Sequence, residues 1–549
     1  MWPTFVDNRR VSGYCDTEEF HCRGLRINLR VTMRQGRVKM QNESSGSYDF
    51  KARVSFFLFA AWVMASIVVG SAWAQTKPWP VGSQKQLFFD NRFIAESENV
   101  RIVMNQPRKL GPVLKPDSRW EDFRLTSYFT VLQEGDLCRM YYSCFSEDQW
   151  NFADPEVTWR DYAFLCYAES KDGIHWHKPN LGIVQYDGST DNNILARSIV
   201  DGTVFLDPHD IPERRYKLLH TVGPHQGGLK ISCSADGIHF KLSEKSVVPW
   251  EPDSQQNMFF DTRHGKYVAY LRAIREVRGN KADNWRMVMR CEVDDLEDWS
   301  DAKPEIVFRP DKQDPPDVDF YTNACLLYPW AADAYFMFPA VYHHFPAGYG
   351  NDGLLDIAAA ASRNGIDWKR PDRGPYIPLG QRGEWDAMFN MMGVGIVRQG
   401  DKLLQYYNGV DFGHGATRKE SLHIEQAQGR RRWGWMGAVQ QRLDGFYSVD
   451  STYEGGELTT PPIVFAGNRL QLNIDTSSAG SAKVEICDAR GVPIPGFSLQ
   501  EASTIMANDV RHLVSWGKNT DVSSLAGQPI RLRVQSRSTK LYAFQFVQQ

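Results

Sequence analysis

The sequence predicts an all-β protein in which a five-bladed β-propeller is followed by a small β-sandwich domain. A turn phrase of the form S-x-(D/N)-G recurs at regular spacing, and aromatic-rich segments with strand character run in phase with it. Helical periodicity is almost absent between them. The 549 residues, of which 42% are apolar and 13% aromatic, form a globular chain long enough for two or three domains.

Residues 1–74 are predicted to be an N-terminal extension and signal peptide. Two basic residues precede an uncharged run at 54–70, and an A-x-A site ends at Ala74, where cleavage is expected. Because the run is long for a signal peptide, an uncleaved membrane anchor is the alternative. Signal peptides begin close to the first residue, so Met40 is the expected true start. The mature protein is expected to be secreted or periplasmic, with a membrane contact only if the segment stays uncleaved.

Residues 75–110 are predicted to form a lead-in that closes the propeller, and the propeller itself spans 111–455. The turn phrase occurs there as SKDGIHW, SADGIHF and SRNGIDW, at 170–176, 234–240 and 362–368. The first two copies are 64 residues apart and the last two are 128 apart, with a worn copy, DDLEDWS, between them and a fifth, RLDGFYS, after them. Asp-Gly or Asn-Gly supplies the positive φ angles of a tight turn, so the phrase is predicted to be structural and to join outer strands.

Five aromatic-rich segments follow short polar turns and are predicted to be the second strand of each blade. They are RMYYSCF, RYKLLHTV, KYVAYLRA, AYFMFPAVYHH and KLLQYYNGV, at 139–145, 215–222, 266–273, 334–344 and 402–410. Each unit thus holds four strands, and four strands repeated five times are typical of a β-propeller. Residues 456–549 contain alternating strands separated by Gly/Pro turns, which predicts the β-sandwich.

With these motifs the chain resembles the glycoside hydrolases of families 32 and 43, the invertase-like and arabinanase-like enzymes. The stretch VDGTVFLDPHDIPERRYKLL at 200–219 is similar to the family 43 pattern of an Asp, an apolar strand, a polar turn and an aromatic strand. The turn phrase is similar to the Asp-box of sialidases, although that box spaces Asp and Gly one residue further apart. The C-terminal unit resembles the sandwich appended to family 32 propellers. The resemblance implies a secreted hydrolase of glycosidic bonds, with Asp201 as the carboxylate that tunes the general acid.

Every predicted blade carries an acidic residue just before its first strand, which in a propeller lines the axis. Cleavage of a glycosidic bond needs two carboxyl groups across it, so acids that converge on the axis are candidates for catalysis. A single acid in such a loop is usually only solvated, but recurrence at one position in five blades favours a shared site. These acids are Glu121, Asp122, Asp201, Asp253, Asp317, Asp319, Glu384 and Asp386.

The predicted catalytic residues are Asp201, Glu384, Asp386 and Asp319. Families 32 and 43 place a glutamic acid at the head of the third blade, where this chain reads SQQN at 254–257. Glu384 is the expected substitute acid, because the ring of Trp385 would exclude water from its carboxyl group. Asp386 or Asp319 is the expected base, and Asp201 is expected to tune the acid and hold the sugar. The predicted substrate-binding residues are Glu121, Asp122, Arg124, Asp253, Arg272, Asn323, His343 and Trp385.

The residues exclude several classes of ligand. The formal net charge is -3 and the basic excess lies in the N-terminal extension, so the body lacks the basic surface that nucleic acid needs. No metal or other cofactor is expected, because the adjacent His343 and His344 would point to opposite faces of a strand and the cysteines lack zinc spacing. Most cysteines are expected to be small apolar residues in strands, with one disulfide within 138–166 left open.

The expected partner is therefore a carbohydrate substrate, whose sugar and linkage the sequence does not specify. Two alternatives remain. The missing glutamate of the third blade favours a carbohydrate-binding propeller without catalysis. A sialidase-like enzyme would need a carboxylate-binding arginine cluster, which the sequence does not reveal.

Overall fold

The computed structural model divides the chain into two compact units, residues 1–75 and 76–549. In the first unit it describes two antiparallel strands, β1 (Arg30–Arg34) and β2 (Arg37–Gln41), and the predicted signal segment lies outside the described residues. Among the described residues, no helix has the length and apolar character needed to cross a membrane. The second unit is described over 77–122, 124–146, 163–221, 228–248, 255–276, 284–345, 352–415 and 434–549.

The second unit is all-β, as the sequence predicts. Its described residues contain no α-helix. Short 3₁₀ turns occur at Asn91–Phe93, Arg119–Glu121, Pro212–Arg214 and Ser523–Leu525. The first strands of this unit are β3 (Trp79–Gly82), β4 (Gln86–Leu87), β5 (Glu96–Glu98), β6 (Val100–Met104) and β7 (Arg108–Leu114).

Three four-stranded antiparallel sheets follow, and in each of them the strands pair in sequence order. Sheet 1 contains β8 (Arg124–Glu134), β9 (Leu137–Phe145), β10 (Ala163–Ser170) and β11 (Ile194–Arg197). Sheet 2 contains β12 (Thr203–Leu206), β13 (Tyr216–His220), β14 (Leu229–Ser234) and β15 (Ser246–Val248). Sheet 3 contains β16 (Asn257–Asp261), β17 (Lys266–Glu276), β18 (Asn284–Val293) and β19 (Glu305–Phe308). The second strand of each sheet coincides with an aromatic-rich segment, and adjacent residues such as Tyr141 and Tyr142 are both fully buried because both faces are covered.

The next eleven strands, together with β7, form one eight-stranded sheet, in which Leu355 and Phe389 pair in parallel, and one separate four-stranded sheet. We group these strands by chain order and call the two groups sheet 4 and sheet 5. Sheet 4 contains β20 (Val318–Phe320), β21 (Leu326–Leu327), β22 (Tyr335–Met337), β23 (Ala340–His344), β24 (Gly353–Ile357), β25 (Ala360–Ser362) and β26 (Trp368–Lys369). Sheet 5 contains β27 (Phe389–Met392), β28 (Val397–Gln399), β29 (Lys402–Val410) and β30 (Trp435–Arg442). Its outer strand is β7, which pairs antiparallel with β30. A strand from before sheet 1 therefore completes the last sheet of the series.

The turn phrases follow the third strands of their sheets and also join neighbouring sheets. In the first copy, Gly173 has a φ of +68° and its carbonyl oxygen accepts a hydrogen bond from the Tyr406 hydroxyl of sheet 5 at 2.9 Å. In the third copy, Tyr270 of sheet 3 donates to the Gly365 carbonyl at 2.8 Å. Positive φ is confined to the glycine in these copies; in the first, Asp172 stays outside that region and instead accepts backbone hydrogen bonds through its carboxylate. The prediction that the pair as a whole supplies positive φ was wrong on this point.

Two further sheets contain the C-terminal strands together with β3–β6. The strands are β31 (Tyr447–Ser451), β32 (Gly456–Thr459), β33 (Ile463–Phe465), β34 (Arg469–Asp475), β35 (Ser481–Asp488), β36 (Asn508–Leu513), β37 (Ile530–Arg537) and β38 (Thr539–Val547). One sheet has the order β3-β33-β37-β32-β5 with β35 on β37, and the other has β36-β34-β38-β31-β6 with β4 on β38. Both contribute to one apolar core that includes Phe88, Leu472, Val484, Leu532 and Phe544. The domain boundaries at 110 and 455 stay a prediction.

The first strands of neighbouring sheets lie side by side. Thr130 of β8 forms a bridge with Val394, and its hydroxyl accepts a hydrogen bond from Val204 N of β12 at 3.2 Å. Contacts also join β12 to β16 and β18 to β20. An apolar cluster near the starts of these strands includes Phe145, Val200, Tyr342, Phe389 and Val410. The chain segments that carry the predicted acids therefore converge on this cluster from several sheets.

Candidate functional site

Polar residues from all five sheets surround the converging starts of the first strands. Asp201 and Gln256 lie in loops before strands, whereas Arg272, Arg286 and Tyr342 lie within strands. We call them the central site, which consists of Arg124, Asp201, Gln256, Arg272, Arg286, Asp319, Tyr321, Tyr342, His344 and His414.

Asp201 lies just before β12 and is 2% exposed. The Thr221 hydroxyl lies 3.0 and 3.1 Å from its two oxygens, and Gln256 Nε2 donates a hydrogen bond to Oδ2 at 3.0 Å. These contacts join the loop before sheet 2 to the loop before sheet 3. Gln256 belongs to the SQQN segment, at the head of the third repeat, and its buried Oε1 has no hydrogen-bond partner among the described residues. The sequence predicted Asp201 as a site acid, and the structure adds that the amide of Gln256 holds its carboxylate.

Asp319 lies in β20 and is fully buried. Its Oδ2 accepts hydrogen bonds from Arg286 N at 3.2 Å and Arg286 Nη1 at 3.1 Å, and His344 Nε2 lies 3.0 Å away. Its Oδ1 is buried, and no described residue donates a hydrogen bond to it. Most buried polar atoms in native proteins are paired, so an unpaired carboxylate oxygen between two converging sheets needs an explanation. One oxygen fixes the orientation of the group, and the other is left for a ligand or water.

Two arginine side chains lie over the ring of Tyr321, and a third, Arg124, interacts electrostatically with the same tyrosine. Arg272 and Arg286 lie 5.1 and 4.6 Å from the ring centroid, within the range of cation–π attraction. Burial lowers the pKa of Arg124, and the hydroxyls of Tyr128 and Tyr321 oppose this effect. The sequence suggested Arg124 and Arg272 separately but did not reveal that they form a cluster.

Two tyrosines and a histidine complete the site. His414 Nε2 lies 3.1 Å from the Tyr321 hydroxyl, and His414 Nδ1 lies 3.3 Å from the Tyr342 hydroxyl. The Tyr342 and His344 rings are 4.0 Å apart. Sequence analysis missed Arg286 and His414 because neither stands before a first strand. The one signal for Arg286 was its charge directly before the apolar residues 287–289 of β18.

Two of the predicted catalytic acids have contacts elsewhere, in sheet 5. Asp386 is buried, and its Oδ2 accepts from Lys109 Nζ of β7 and the Tyr407 hydroxyl, both at 2.7 Å. Trp385 packs against Tyr407 with ring centroids 5.2 Å apart. Glu384 is exposed, and its Oε2 accepts a hydrogen bond from Gln381 N at 2.6 Å. These contacts connect the two acids to β7, β29 and their own loop, whereas Asp201 and Asp319 contact sheets 2, 3 and 4.

Other predicted binding residues form hydrogen bonds with neighbouring groups of the protein itself. Glu121 is fully buried and accepts from the Tyr142 hydroxyl at 2.5 Å and Lys178 Nζ at 2.7 Å. Asn323 accepts a hydrogen bond from Asn257 Nδ2 at 3.2 Å and donates to the Tyr270 carbonyl at 3.1 Å, so it connects sheets 3 and 4.

The remaining predicted residues lie at the margin of the site. His343 contacts Asp356 at 3.1 Å, on the opposite face of β23 from His344, and this hydrogen bond raises the pKa of His343. Asp122 is half-buried, and Asp253 lies outside the described residues. Within the described part of the chain, no three His, Cys, Asp or Glu side chains are grouped to hold a metal, and the seven cysteines there are free.

No family model and no curated protein matches the chain. Among solved structures it is similar to a protein described as a glycoside hydrolase, with 13% identity and a TM-score of 0.41 over 61% of this chain and 92% of the other. It is also similar to the catalytic domain of the GH62 α-L-arabinofuranosidase of Coprinopsis cinerea, with 11% identity and a TM-score of 0.39 over 62% of this chain and 99% of the other. A third is a family 43 arabinoxylan arabinofuranohydrolase from Bacillus subtilis, with 11% identity and a TM-score of 0.37 over 80% and 99%. These structural neighbours are glycoside hydrolases, but likeness at this level does not define the family or the activity of this chain.

Proposed function

We propose that the protein is a secreted glycoside hydrolase built on a five-bladed β-propeller with an appended β-sandwich. Sheets 1 to 5 would be the blades, and the contacts between their first strands support an arrangement around a common axis. Pairing of β7 with β30 supports closure of the ring, because a propeller must join its first and last blades. Secretion rests on the sequence at 54–74 alone.

The observation that carries the proposed activity is the state of Asp319. Hydrolysis of a glycosidic bond needs a carboxylate that is held rigidly and still presents an oxygen to water or to the sugar. Arg286 and His344 hold one oxygen of Asp319, and the other has no partner among the described residues. Because Asp319 forms an ion pair with Arg286 and presents its other oxygen to the site, it is assigned the role of base or nucleophile.

Asp201 is assigned as the second carboxyl group of the reaction. Thr221 and Gln256 hold it in one orientation at the head of sheet 2, and Gln256 also belongs to the loop before sheet 3. The sequence-based roles of Glu384 as acid and Asp386 as base stay predictions, and the assay below tests Asp201, Asp319 and Glu384.

The test is release of reducing sugar from a panel of plant and microbial glycans. We expect Asp319→Asn and Asp201→Asn to lower the rate by roughly a hundredfold or more, the usual scale for acid–base groups. Asp317→Asn is the matched control, because it removes an exposed acid from the same segment. A comparable loss in Glu384→Gln, with full activity in Asp319→Asn, would move the chemistry to the loop before sheet 5. Circular dichroism of each variant checks that the fold is kept.

A carbohydrate-binding protein without catalysis is the second candidate. The amide of Gln256 favours it, because an amide stands where the similar families have an acid and cannot protonate a leaving group. Glycan binding by the wild type without any turnover, unchanged in Asp319→Asn, would establish this alternative.

A further inference from the structure

The central site contains more positive charge than a neutral sugar requires. Arg272 and Arg286 lie over the Tyr321 ring, and Arg286 forms an ion pair with Asp319 at 3.1 Å. Arg124 lies over the Phe145 ring and interacts electrostatically with Tyr321. Arginine is the side chain best suited to carboxylates and other oxyanions, since its planar fork donates two parallel hydrogen bonds. A cluster of three therefore points to an anionic ligand.

Arg124 is the arginine of the central site that is best placed to bind an anionic ligand. Its guanidinium lies 5.7 Å from the Phe145 ring centroid, near the hydroxyls of Tyr128 and Tyr321, and burial lowers its pKa. Its side chain has no hydrogen bond or ion pair with any described residue. A guanidinium carries five N–H donors, so this side chain can still bind an anionic acceptor. Part of the side chain remains exposed, so a ligand can reach it.

We infer that the sugar bound at the central site carries a negative charge, a carboxylate, and that Arg124 binds it. The inference rests on the proposed function for the location of the sugar, but binding can be measured whether or not hydrolysis occurs. Arg124 begins the first strand of sheet 1, and Asp319 lies in the first strand of sheet 4. Tyr321 links the two residues, because it interacts electrostatically with Arg124 and its ring lies 4.6 Å from Arg286, which holds Asp319. We place the carboxylate of the sugar at Arg124 and the neighbouring glycosidic bond near Asp319.

Calorimetric titration with matched glycans tests the inference. Polygalacturonate and its fully methyl-esterified form share a backbone and differ in charge, as do sialyllactose and its methyl ester. We expect at least one acidic member to bind about ten- to hundredfold more tightly than its neutral partner, the range for hydrogen bonds to a charged group. Raising the salt concentration should narrow this preference. Equal affinity within both pairs would overturn the inference.

Variants assign the effect to one residue. Arg124→Gln should abolish the preference for the acidic form, and Arg124→Lys should keep part of it. Arg197→Gln is the matched control, because Arg197 also lies over a phenylalanine of sheet 1, at 5.1 Å from Phe164, but is exposed on the outer strand. A preference that persists in Arg124→Gln would overturn the role of this residue. If both Arg124 variants misfold, the wild-type titrations still decide the charge of the sugar.

Further outcomes distinguish the carboxylate from a sulfate and distinguish binding of an acidic glycan from its hydrolysis. Preferential binding of sulfated κ-carrageenan over agarose, with no preference for either carboxylate, would show that the anion is a sulfate and overturn the carboxylate assignment. Tight binding of an acidic glycan without any hydrolysis would support the inference and count against the proposed function. Hydrolysis of neutral glycans alone would support the proposed function and count against the inference of an acidic sugar.

Discussion

The turn at 170–176 and the central site use the same kinds of polar side chain in different ways. In the turn, Ser170 Oγ accepts from Gly173 N at 2.9 Å, and Asp172 Oδ1 accepts from the backbone of Ile174 and His175 at 2.9 and 2.8 Å. In the central site, Asp319 Oδ1 and Gln256 Oε1 are buried without partners among the described residues. The turn repeats this arrangement at 234–240 and 362–368 with nearly the same distances. The polar groups of the turn are bonded to their own chain and determine its shape, whereas these two acceptors of the central site remain available to a ligand.

The largest expected effect is the loss of stability when a larger side chain replaces the glycine of the first turn. In Gly173→Val, a β-branched residue must adopt a φ of +68°, and its side chain would collide with the Tyr406 hydroxyl and lie against Leu404 Cδ1 at 3.0 Å. Backbone strain and overpacking together should cost about 2–6 kcal/mol of stability. Gly135→Val is the matched control, because Gly135 has a φ of +58° but nothing within 4 Å of the added carbon. The difference in melting temperature between the two variants isolates the collision. Equal losses would show that the contact with sheet 5 contributes nothing.

A smaller, pH-dependent effect is expected beside the central site, at His220. This residue is fully buried next to Thr221, and burial lowers its pKa to about 4. As the pH falls, the unfolded chain protonates this histidine near its ordinary pKa of 6.5, but the folded protein does so only near pH 4. Stability is therefore kept above about pH 6.5 and lost toward pH 4, by about 3 kcal/mol.

The measurement is the urea unfolding midpoint from pH 7 to pH 4 in the wild type and in His220→Gln. The two curves should converge as the pH falls, because the variant lacks the titrating group. His239→Gln removes an exposed histidine from the second turn and should run parallel to the wild type. Parallel curves for His220→Gln would contradict the prediction.

The smallest effect is expected from Asp172→Asn in the turn. The third copy already has Asn364 at this position, where its Oδ1 accepts from Ile366 N and Asp367 N at 3.0 and 2.8 Å. Asn364 Nδ2 also donates to Asp367, so the donor and acceptor of the Asp172–His175 pair are exchanged there. Because the site is exposed, the loss of stability should stay within about 0.5 kcal/mol, and the hydrolysis rate should not change. A hundredfold loss of rate would show that the turn takes part in catalysis.

Much of the fold could be predicted from the sequence, because individual strands and turns have short local sequence patterns. Four of the five aromatic-rich segments are single strands as predicted, among them Leu137–Phe145 and Lys402–Val410, because strand propensity is set within a few residues. The segment at 334–344 is instead split into β22 and β23, which belong to different sheets. The pairing of strands from distant parts of the chain has no local sequence pattern and could not be predicted in this way. Nothing in Arg108–Leu114 indicates that it pairs with Trp435–Arg442, or that the strands before it join the C-terminal sheets.

The candidate site was predictable in part. Asp201 and Asp319 precede or begin first strands, and an acid at that position is a visible pattern. Arg286 and His414 could not be found in the same way, because Arg286 lies inside β18 and His414 follows β29, and each reaches the site only through the packing of sheets. Which acids contact one another is likewise a property of the packing, and Asp386 illustrates it through its ion pair with Lys109.

The pairing of β3–β7 with late strands imposes an order of events on biosynthesis. Trp79–Leu114 leaves the ribosome before any of the sheets exist, yet its partners lie near the other end of the chain, and Lys85 reaches Asp444 across 359 residues. These strands must wait, with their edges unpaired, until synthesis is almost complete. Such late closure is slow and exposes the waiting segment to wrong partners. A nascent chain interrupted before residue 435 would consequently lack the partners for its own beginning.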